Sequence, residues 1–581
     1  MSNRTGLKIG MCILLAAGVL IALLGSPPPR SARAAGTFTV NSYADNENYD
    51  SVLTLREALL VANGSISMGL TDGEKAQLGG CIFAGSSGNW RITGGCGAGI
   101  ADTINFSYPT GVITLGTTTL PPVNDTAPTY IYGPNTTTEE IAIDGQNLPA
   151  GSAILTISSD NNAVYYSLAF RDSPAVGIFI SGSHNLVKQT HIYGNDSYGL
   201  EIDGGDFNEI NENELGFRAL ADPTACVPAT VNSISNILVT DGAESNTLIY
   251  NTAVCSPIGI ALSGAATSSN TLQRNTIGVW YKSGFRSMGN NFAGIGVLAG
   301  SHGNQLFNNM IGRNQDGIVI TGSGSNANVI TNNQIGKISP FNVPNTRNGI
   351  LIDAGTQATQ VLNNLIALNL GAGVVVSGTG AGGHLIQDNM IEHNGAEGVL
   401  LRGSTSNNTL QDNDIFFNGS AGVYLADTVT NNSVVGGQIY QNTGAGIAEG
   451  PATGTNWWSQ VNIYDNGRLG IDRLANGIPD APYPTITGFA SWVGGSLLVS
   501  GEAGAGSWVE LYRLAPDPSG FGEGRVWVST SVTNASGHWQ LAVTGGGGCF
   551  TAFERTLLPS GWDSSEFGPN TSCVYLPFIA R

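Results

Sequence analysis

Six carboxylates crowd residues 201–214: Glu201, Asp203, Asp206, Glu209, Glu212 and Glu214. Clustered acids bind hard cations through oxygen, so Glu201, Asp203 and Asp206 are candidate ligands for Ca²⁺. The alternative is plain solvation, because several of the six fall on successive exposed positions. Catalysis by this group finds no supporting motif. A glycosidase needs an acid and a base or nucleophile at a set separation, and the chain lacks Asn-Thr-Asp, paired Asp, Gly-His-Gly and Arg-Ile-Lys signatures. His184, His191, His302, His384, His393 and His538 show no metal-ligand spacing and read as turn or surface residues. Gly-rich runs such as 545–548 are loops, not phosphate cradles.

Aromatic and basic residues gather in three segments that each follow Leu/Ile-Gly: Leu215-Gly216, Ile277-Gly278 and Ile335-Gly336. They carry Phe217 and Arg218; Trp280, Tyr281, Lys282, Phe285 and Arg286; and Lys337, Phe341 and Arg347. Arg313 lies in the short stretch between the last two. Aromatic faces stack on sugar rings, and guanidinium or ammonium groups pair with carboxylates. The expected ligand is therefore a polysaccharide or cell-surface glycan, an acidic one included. The competing reading is that these loops only pack against the body of the protein.

Seven cysteines are present. Cys12 falls in an N-terminal apolar run, and the other six form local pairs: Cys81 with Cys96, Cys226 with Cys255, Cys549 with Cys573. An even, locally paired set in an exported chain reads as disulfides. No pair has Cys-x-x-Cys spacing, so zinc is the weaker account. Other pairings remain open at this level.

The elements that must position these residues announce themselves by repetition. Asn-x-x-x-Gly followed by an aliphatic recurs, and Gly373, Gly398, Gly422, Gly446 and Gly470 are 25, 24, 24 and 24 residues apart. A fixed period of that size means a solenoid. Each period holds runs of three to five residues, such as Val374-Val-Val376, separated by Gly, Asn and Ser; these are strands, not helices. Asn fills two columns. One lies four residues before the glycine, the other two before an isoleucine (Asn213, Asn275, Asn309, Asn333, Asn364, Asn389, Asn413). Asn tolerates left-handed corners, and its stacked amides can bond coil to coil.

These Asn-x-Ile and Asn-x-x-x-Gly-Ile repeats resemble the right-handed parallel β-helix proteins of the pectin-lyase-like superfamily. The resemblance implies an all-β right-handed solenoid and leaves function open, since that superfamily includes lyases, hydrolases, tailspikes and adhesins. Leu55-Arg56-Glu57-Ala58 is similar to the Cys-Ser-Leu-Arg-Glu-Ala segment at the N-terminus of exported β-helix proteins, with Leu53 and Thr54 in its first two positions. Thr54 and Glu57 also have capping-box spacing, so a short helix covering the solenoid's open end is expected. Alternating strands from Thr485 onward predict a small sandwich. Val509-Glu510-Leu511-Tyr512, Gly522-Glu523-Gly524 and Ser565-Glu566-Phe567 resemble bacterial Ig-like modules appended to secreted β-helices.

The domain plan is a signal peptide over 1–34, a cap segment over 35–101, the β-helix over 102–478, the Ig-like sandwich over 479–570 and a tail over 571–581. Arg4 and Lys8 precede the apolar run, and Ala32-Arg-Ala34 fits signal cleavage. Removal of that segment takes the formal charge from −19 to −23. No second apolar run approaches a membrane span. A strongly acidic exported chain makes a poor nucleic-acid partner. Finally, Val319, Leu351, Val375, Leu400 and Tyr424 form an outward apolar column. It is expected to be covered by the chain beyond Pro479, by a second copy or by an apolar ligand surface; the competing reading is that the outward residues of a broad sheet shield one another. The sequence thus favours an extracellular or cell-surface, non-catalytic, glycan-binding β-helix. A polysaccharide lyase or hydrolase is the alternative, and a purely structural surface element the third reading.

Overall fold

A computed structural model describes residues 36–66, 68–135, 140–218, 225–281, 285–475, 482–491, 496–515, 519–544, 548–569 and 573–574. The expected signal peptide, Lys282, the linker around Pro479 and most of the expected tail lie outside these residues.

Three long sheets run along the solenoid, and from Thr129 onward each coil gives one strand to each. We call them A (16 strands, all parallel except Leu78–Gly79, which pairs antiparallel with Gly36–Val40), B (14) and C (13), in the order the chain visits them. Register is strict. On sheet B, Ile277, Ile311, Ile335 and Ile366 stack in one inward column. On sheet C, Ile318, Ile350, Val374 and Val399 do the same. All eight are fully buried in one continuous core. Each such side chain contributes roughly 1.5–3 kcal/mol relative to exposure. Alternation along a strand sends the flanking residues outward.

Most corners share one pattern. A residue with positive φ turns the chain, and the next residue is a ladder asparagine; Cys255 (64°), followed by Ser256, is an exception. At the corner from A to B the turning residues are Glu212 (56°), Tyr250 (58°), Arg274 (54°) and Asn308 (57°). The following Asn213, Asn251, Asn275 and Asn309 are buried. The expectation that the column asparagines themselves adopt the left-handed conformation is thus displaced by one position. The asparagine is chosen for its amide. Asn275 sends both its backbone N–H and its Nδ2 to Asn309 Oδ1, each at 3.0 Å. Asn309 repeats the pattern onto Asn333 at 2.9 and 3.0 Å. A left-handed non-glycine residue costs about 1–2 kcal/mol, and these buried bonds offset it.

A third ladder stands at the corner from C to A: Asn246, Asn270, Asn304 and Asn328 bond in the same way. Thr359 and His384 interrupt it before Asn408 and Asn432 resume.

At the N-terminal end, helix α1 (Leu55–Ala62) has the expected capping box, with the Thr54 side chain accepting from the Glu57 N–H and the Glu57 carboxylate reaching back. Arg56 is buried against Asp45 at 2.8 Å and the carbonyls of Thr118 and Thr119. Both residues of the Arg-Glu pair are therefore spent on structure. All three expected disulfides are present: Cys81–Cys96, Cys226–Cys255 and Cys549–Cys573.

Beyond the last coil the chain forms two antiparallel sheets. One holds Thr485–Ser491, Leu497–Glu502 and His538–Val543; the other is built on Trp508–Ala515, Glu523–Val532 and Gly548–Leu558. This module sits on the open end of the solenoid, and its described hydrogen bonds to the solenoid reach residues 455–473. It does not reach the apolar column by those bonds. There Val319 and Val375 are only 2% and 3% exposed, and Leu351 and Leu400 are half-buried. Each is a direct neighbour of the next in the sheet. The expected shielding is supplied by the column itself.

Candidate functional site

The three loops do emerge at one phase, the corner from B to C, and two of them are hairpins. Val279–Tyr281 pairs with Phe285–Ser287, and Lys337–Ile338 pairs with Phe341–Asn342. Successive residues of a strand face opposite ways, and the hairpins sort their aromatics accordingly. Trp280 turns inward and is 4% exposed, packed with Phe217, Val254 and Met288. Its indole N–H donates to Glu214 Oε1 at 3.2 Å. Tyr281 turns outward at 62% exposure and meets Phe341, 37% exposed, with ring centroids 6.5 Å apart.

The cations divide in the same way. Lys337 Nζ lies 2.7 Å from Glu392, and Arg347 lies 3.3 Å from the buried Asp316. Arg218 lies 3.1 Å from the buried Glu140. Arg313 donates to the Asn342 carbonyl at 3.1 Å, which ties it to the second hairpin. Arg286 is half-buried at the base of the first. Trp280 is therefore a packing residue, and Lys337 and Arg347 neutralise carboxylates of the body. Tyr281 and Phe341 form the exposed aromatic surface of the cluster, with Arg218 and Arg347 exposed beside their carboxylates and Arg313 half-buried.

The six carboxylates of 201–214 do not converge. Glu201 faces outward on sheet C between Phe179 and Leu238. Burial, then the charges of Asp203 and Asp241, push its carboxyl up to about 7. Burial and Asp241 also raise Asp203. Asp206 is turned to accept the Glu244 N–H at 2.7 Å. A carboxyl half-protonated near neutrality is a weak calcium ligand. Among the described residues no group of three or more His, Cys, Asp or Glu is placed to hold a metal ion.

A different constellation forms on the outer face of sheet B. His191 and Glu214 are neighbours in one outward column. The imidazole lies between two carboxylates, with Nδ1 2.9 Å from Glu140 and Nε2 3.5 Å from Glu214. Burial pushes the Glu140 carboxyl up, but the hydrogen bond and charge of His191 and the guanidinium of Arg218 outweigh it and hold it below its usual value. Arg171, paired with Asp144 and Asp172 at 2.7 Å each, lies beside Tyr193 one column away. Burial raises the Tyr193 hydroxyl. An imidazole fixed by a carboxylate can relay a proton to a bound group. The sequence reading passed over this group because its members are far apart along the chain. The available signal was that His191 and Glu214 occupy one repeat position.

A family model described as "Right handed beta helix region" matches residues 294–476. The solenoid is a right-handed parallel β-helix. No curated protein matches the chain. Among solved structures, a double mutant of the periplasmic alginate epimerase AlgG is 15% identical, with 63% of this chain and 85% of that one covered at a TM-score of 0.39. The Dettilon tailspike protein is 11% identical, with 82% and 84% covered at 0.38. Pectate lyase Pel9A is 14% identical, with 56% and 76% covered at 0.30. At these values the likeness concerns architecture and assigns no activity to this β-helix.

Proposed function

We propose that this β-helix is an exported, non-catalytic surface or matrix protein that binds an extended glycan at the loop edge between sheets B and C. The observation that carries it is the pair of outward aromatics, Tyr281 and Phe341, brought together by hairpins inserted at one phase of the repeat. Stacking on sugar faces is the main source of affinity, with Arg313 alongside. Lys337, Arg347 and Arg218 face carboxylates of the protein itself, so recognition rests less on anionic groups of the ligand than the composition of the loops implies. Calcium has no part in this reading.

The test is a glycan array on the mature protein, with neutral and uronic-acid polysaccharides as separate arms, followed by Tyr281→Ala with Phe341→Ala. The double variant should lose at least ~10-fold in affinity, as truncation of aromatic anchors does. Unchanged binding would remove the loop edge as the site.

A second reading, a polysaccharide lyase or hydrolase, is favoured by the Glu140–His191–Glu214 cluster. It requires depolymerisation of a bound glycan that disappears in His191→Ala. No turnover of any polysaccharide that binds would exclude it.

A further inference from the structure

The last coil of a β-helix is an unfinished edge. Its strands and its asparagine ladder present backbone donors with no next coil to receive them, and such edges invite pairing with another chain. Here those donors are met by carboxylates from the C-terminal module. Asn442 sends its backbone N–H and its Nδ2 to Asn466 Oδ1, both at 3.1 Å. Asn466 sends the same two groups to Glu523 Oε1, at 3.1 and 3.3 Å. One oxygen of Glu523 thus stands where the amide oxygen of the next asparagine would be.

The other two sheets are closed in a related way. At the end of sheet A, Glu510 takes the Ser459 hydroxyl at 2.5 Å and the Gln460 N–H at 2.8 Å. At the end of sheet C, Glu566 takes the Arg473 N–H at 2.7 Å. All three carboxylates are at most 1% exposed. Beside them, the rings of Tyr512, Phe553 and Phe567 pack with centroids 5.4–5.5 Å apart, Tyr512 stacked on Phe553 and Phe567 edge-to-face with both. These rings belong to the solenoid's own core cluster. Glu510 and Tyr512, and Glu566 and Phe567, come from the same short segments that mark the module in sequence.

We propose that the C-terminal module is a reader of the open end of a parallel β-helix: Glu510, Glu523 and Glu566 replace the missing coil's acceptors, the aromatic triad plugs the bore, and together they stop a second copy of the chain from stacking there. The partner this surface fits is the terminal coil of a β-helix that ends on an asparagine ladder. This role is independent of glycan binding, which lies on other coils.

Acceptor mimicry separates from bulk charge by substitution. In the full chain, Glu523→Ala should speed amide exchange at Asn466 at least ~10-fold, while Glu523→Gln, whose amide oxygen can accept as asparagine does, stays within about two-fold of wild type. Central coils such as 360–413 should keep their protection in both. The triple alanine variant at 510, 523 and 566 should sediment as an end-to-end dimer. Unchanged exchange at Asn466 in Glu523→Ala, or equal exposure in the Gln and Ala variants, overturns the mimicry. A triple variant that stays monomeric with a native solenoid overturns the blocking role. If the triple variant does not fold, the single-residue pair decides.

Discussion

His384 occupies an asparagine position in the third ladder, and it should make the solenoid acid-labile. The imidazole is 1% exposed. Its Nδ1 accepts the Thr359 N–H at 3.1 Å, so the neutral ring carries its proton on Nε2. Protonation of Nδ1 would turn two donors against each other inside the wall of the solenoid. Burial lowers the pKa from 6.5 to about 4. The unfolded chain therefore binds the proton first as pH falls. The contribution of His384 is fully present above pH 6.5 and is lost between 6.5 and 4. From those two values the loss between pH 7.5 and pH 4.5 is about 2.5 kcal/mol. Buried carboxyls with raised values, such as Glu57 and Asp102, slope the opposite way. They are common to wild type and variant and cancel in the difference. His384→Asn restores the ladder chemistry, since Asn304 makes the corresponding bonds to Asn328 at 3.0 and 3.1 Å. Denaturant unfolding of both proteins at the two pH values gives the double difference. His384→Asn should be at least as stable at pH 7.5 and should gain about 2.5 kcal/mol on wild type at pH 4.5. Equal pH dependence of the two proteins would refute the reasoning.

Two further outcomes follow from burial. Trp280→Ala removes a core ring and the donor to Glu214, and should cost about 3–5 kcal/mol in unfolding experiments, whereas Tyr281→Ala should leave the melting temperature nearly unchanged; similar melting for both would contradict the inward and outward assignment of the first hairpin. Glu201→Gln should stabilise the protein at pH 8 relative to wild type and lose that advantage toward pH 4.5. The wild-type carboxyl, raised to about 7, contributes stability that is present below its unfolded value and is lost as pH climbs through 7. Melting curves across that range would show no crossover if the group were ionised in the fold.

The solenoid was legible because its determinants repeat. The glycine column and two asparagine ladders appear in the sequence at the spacing they hold in space. The third ladder was equally visible and was missed: Asn208, Asn246, Asn270, Asn304, Asn328 and Asn408 each stand five residues before an asparagine of the first ladder. Thr359 and His384 mask it just where the regular period of 24–25 residues begins. The phase of the loops was legible too, but the sense of each side chain was not. Trp280 and Tyr281 are adjacent, so one of them had to face inward, yet nothing in the sequence says which. Pairing of Lys337 with Glu392 and of Arg347 with Asp316 joins residues one or more coils apart. The Glu140–His191–Glu214 cluster likewise exists only after stacking. Of the expected calcium ligands, alternation leaves Glu201 and Asp203 on one outer face of sheet C, but the corner that follows turns Asp206 away to the Glu244 N–H.

The place where the loops leave the solenoid is itself dictated by backbone space. Gly216, Gly278 and Gly336 have φ of 88°, 78° and 83° and open the three insertions. A Cβ on them would lie 1.8 Å from the Val254 carbonyl oxygen, 2.0 Å from that of Gly312 and 2.1 Å from that of Ala367. Any side chain there would collide with the next coil, so only glycine lets the chain step out without breaking the stack. Farther along, coils without an insertion carry a side chain in that column, and Phe416, Tyr440 and Tyr464 stack there at 4.8 and 5.0 Å. Their faces are covered by one another, and the Tyr464 hydroxyl donates to Gln438 at 2.9 Å. They offer edges, not platforms. The outer side of sheet B thus changes character along its length. An aromatic ladder closes the C-terminal half, while the glycine exits of the N-terminal half open the hairpins that carry the outward pair Tyr281 and Phe341.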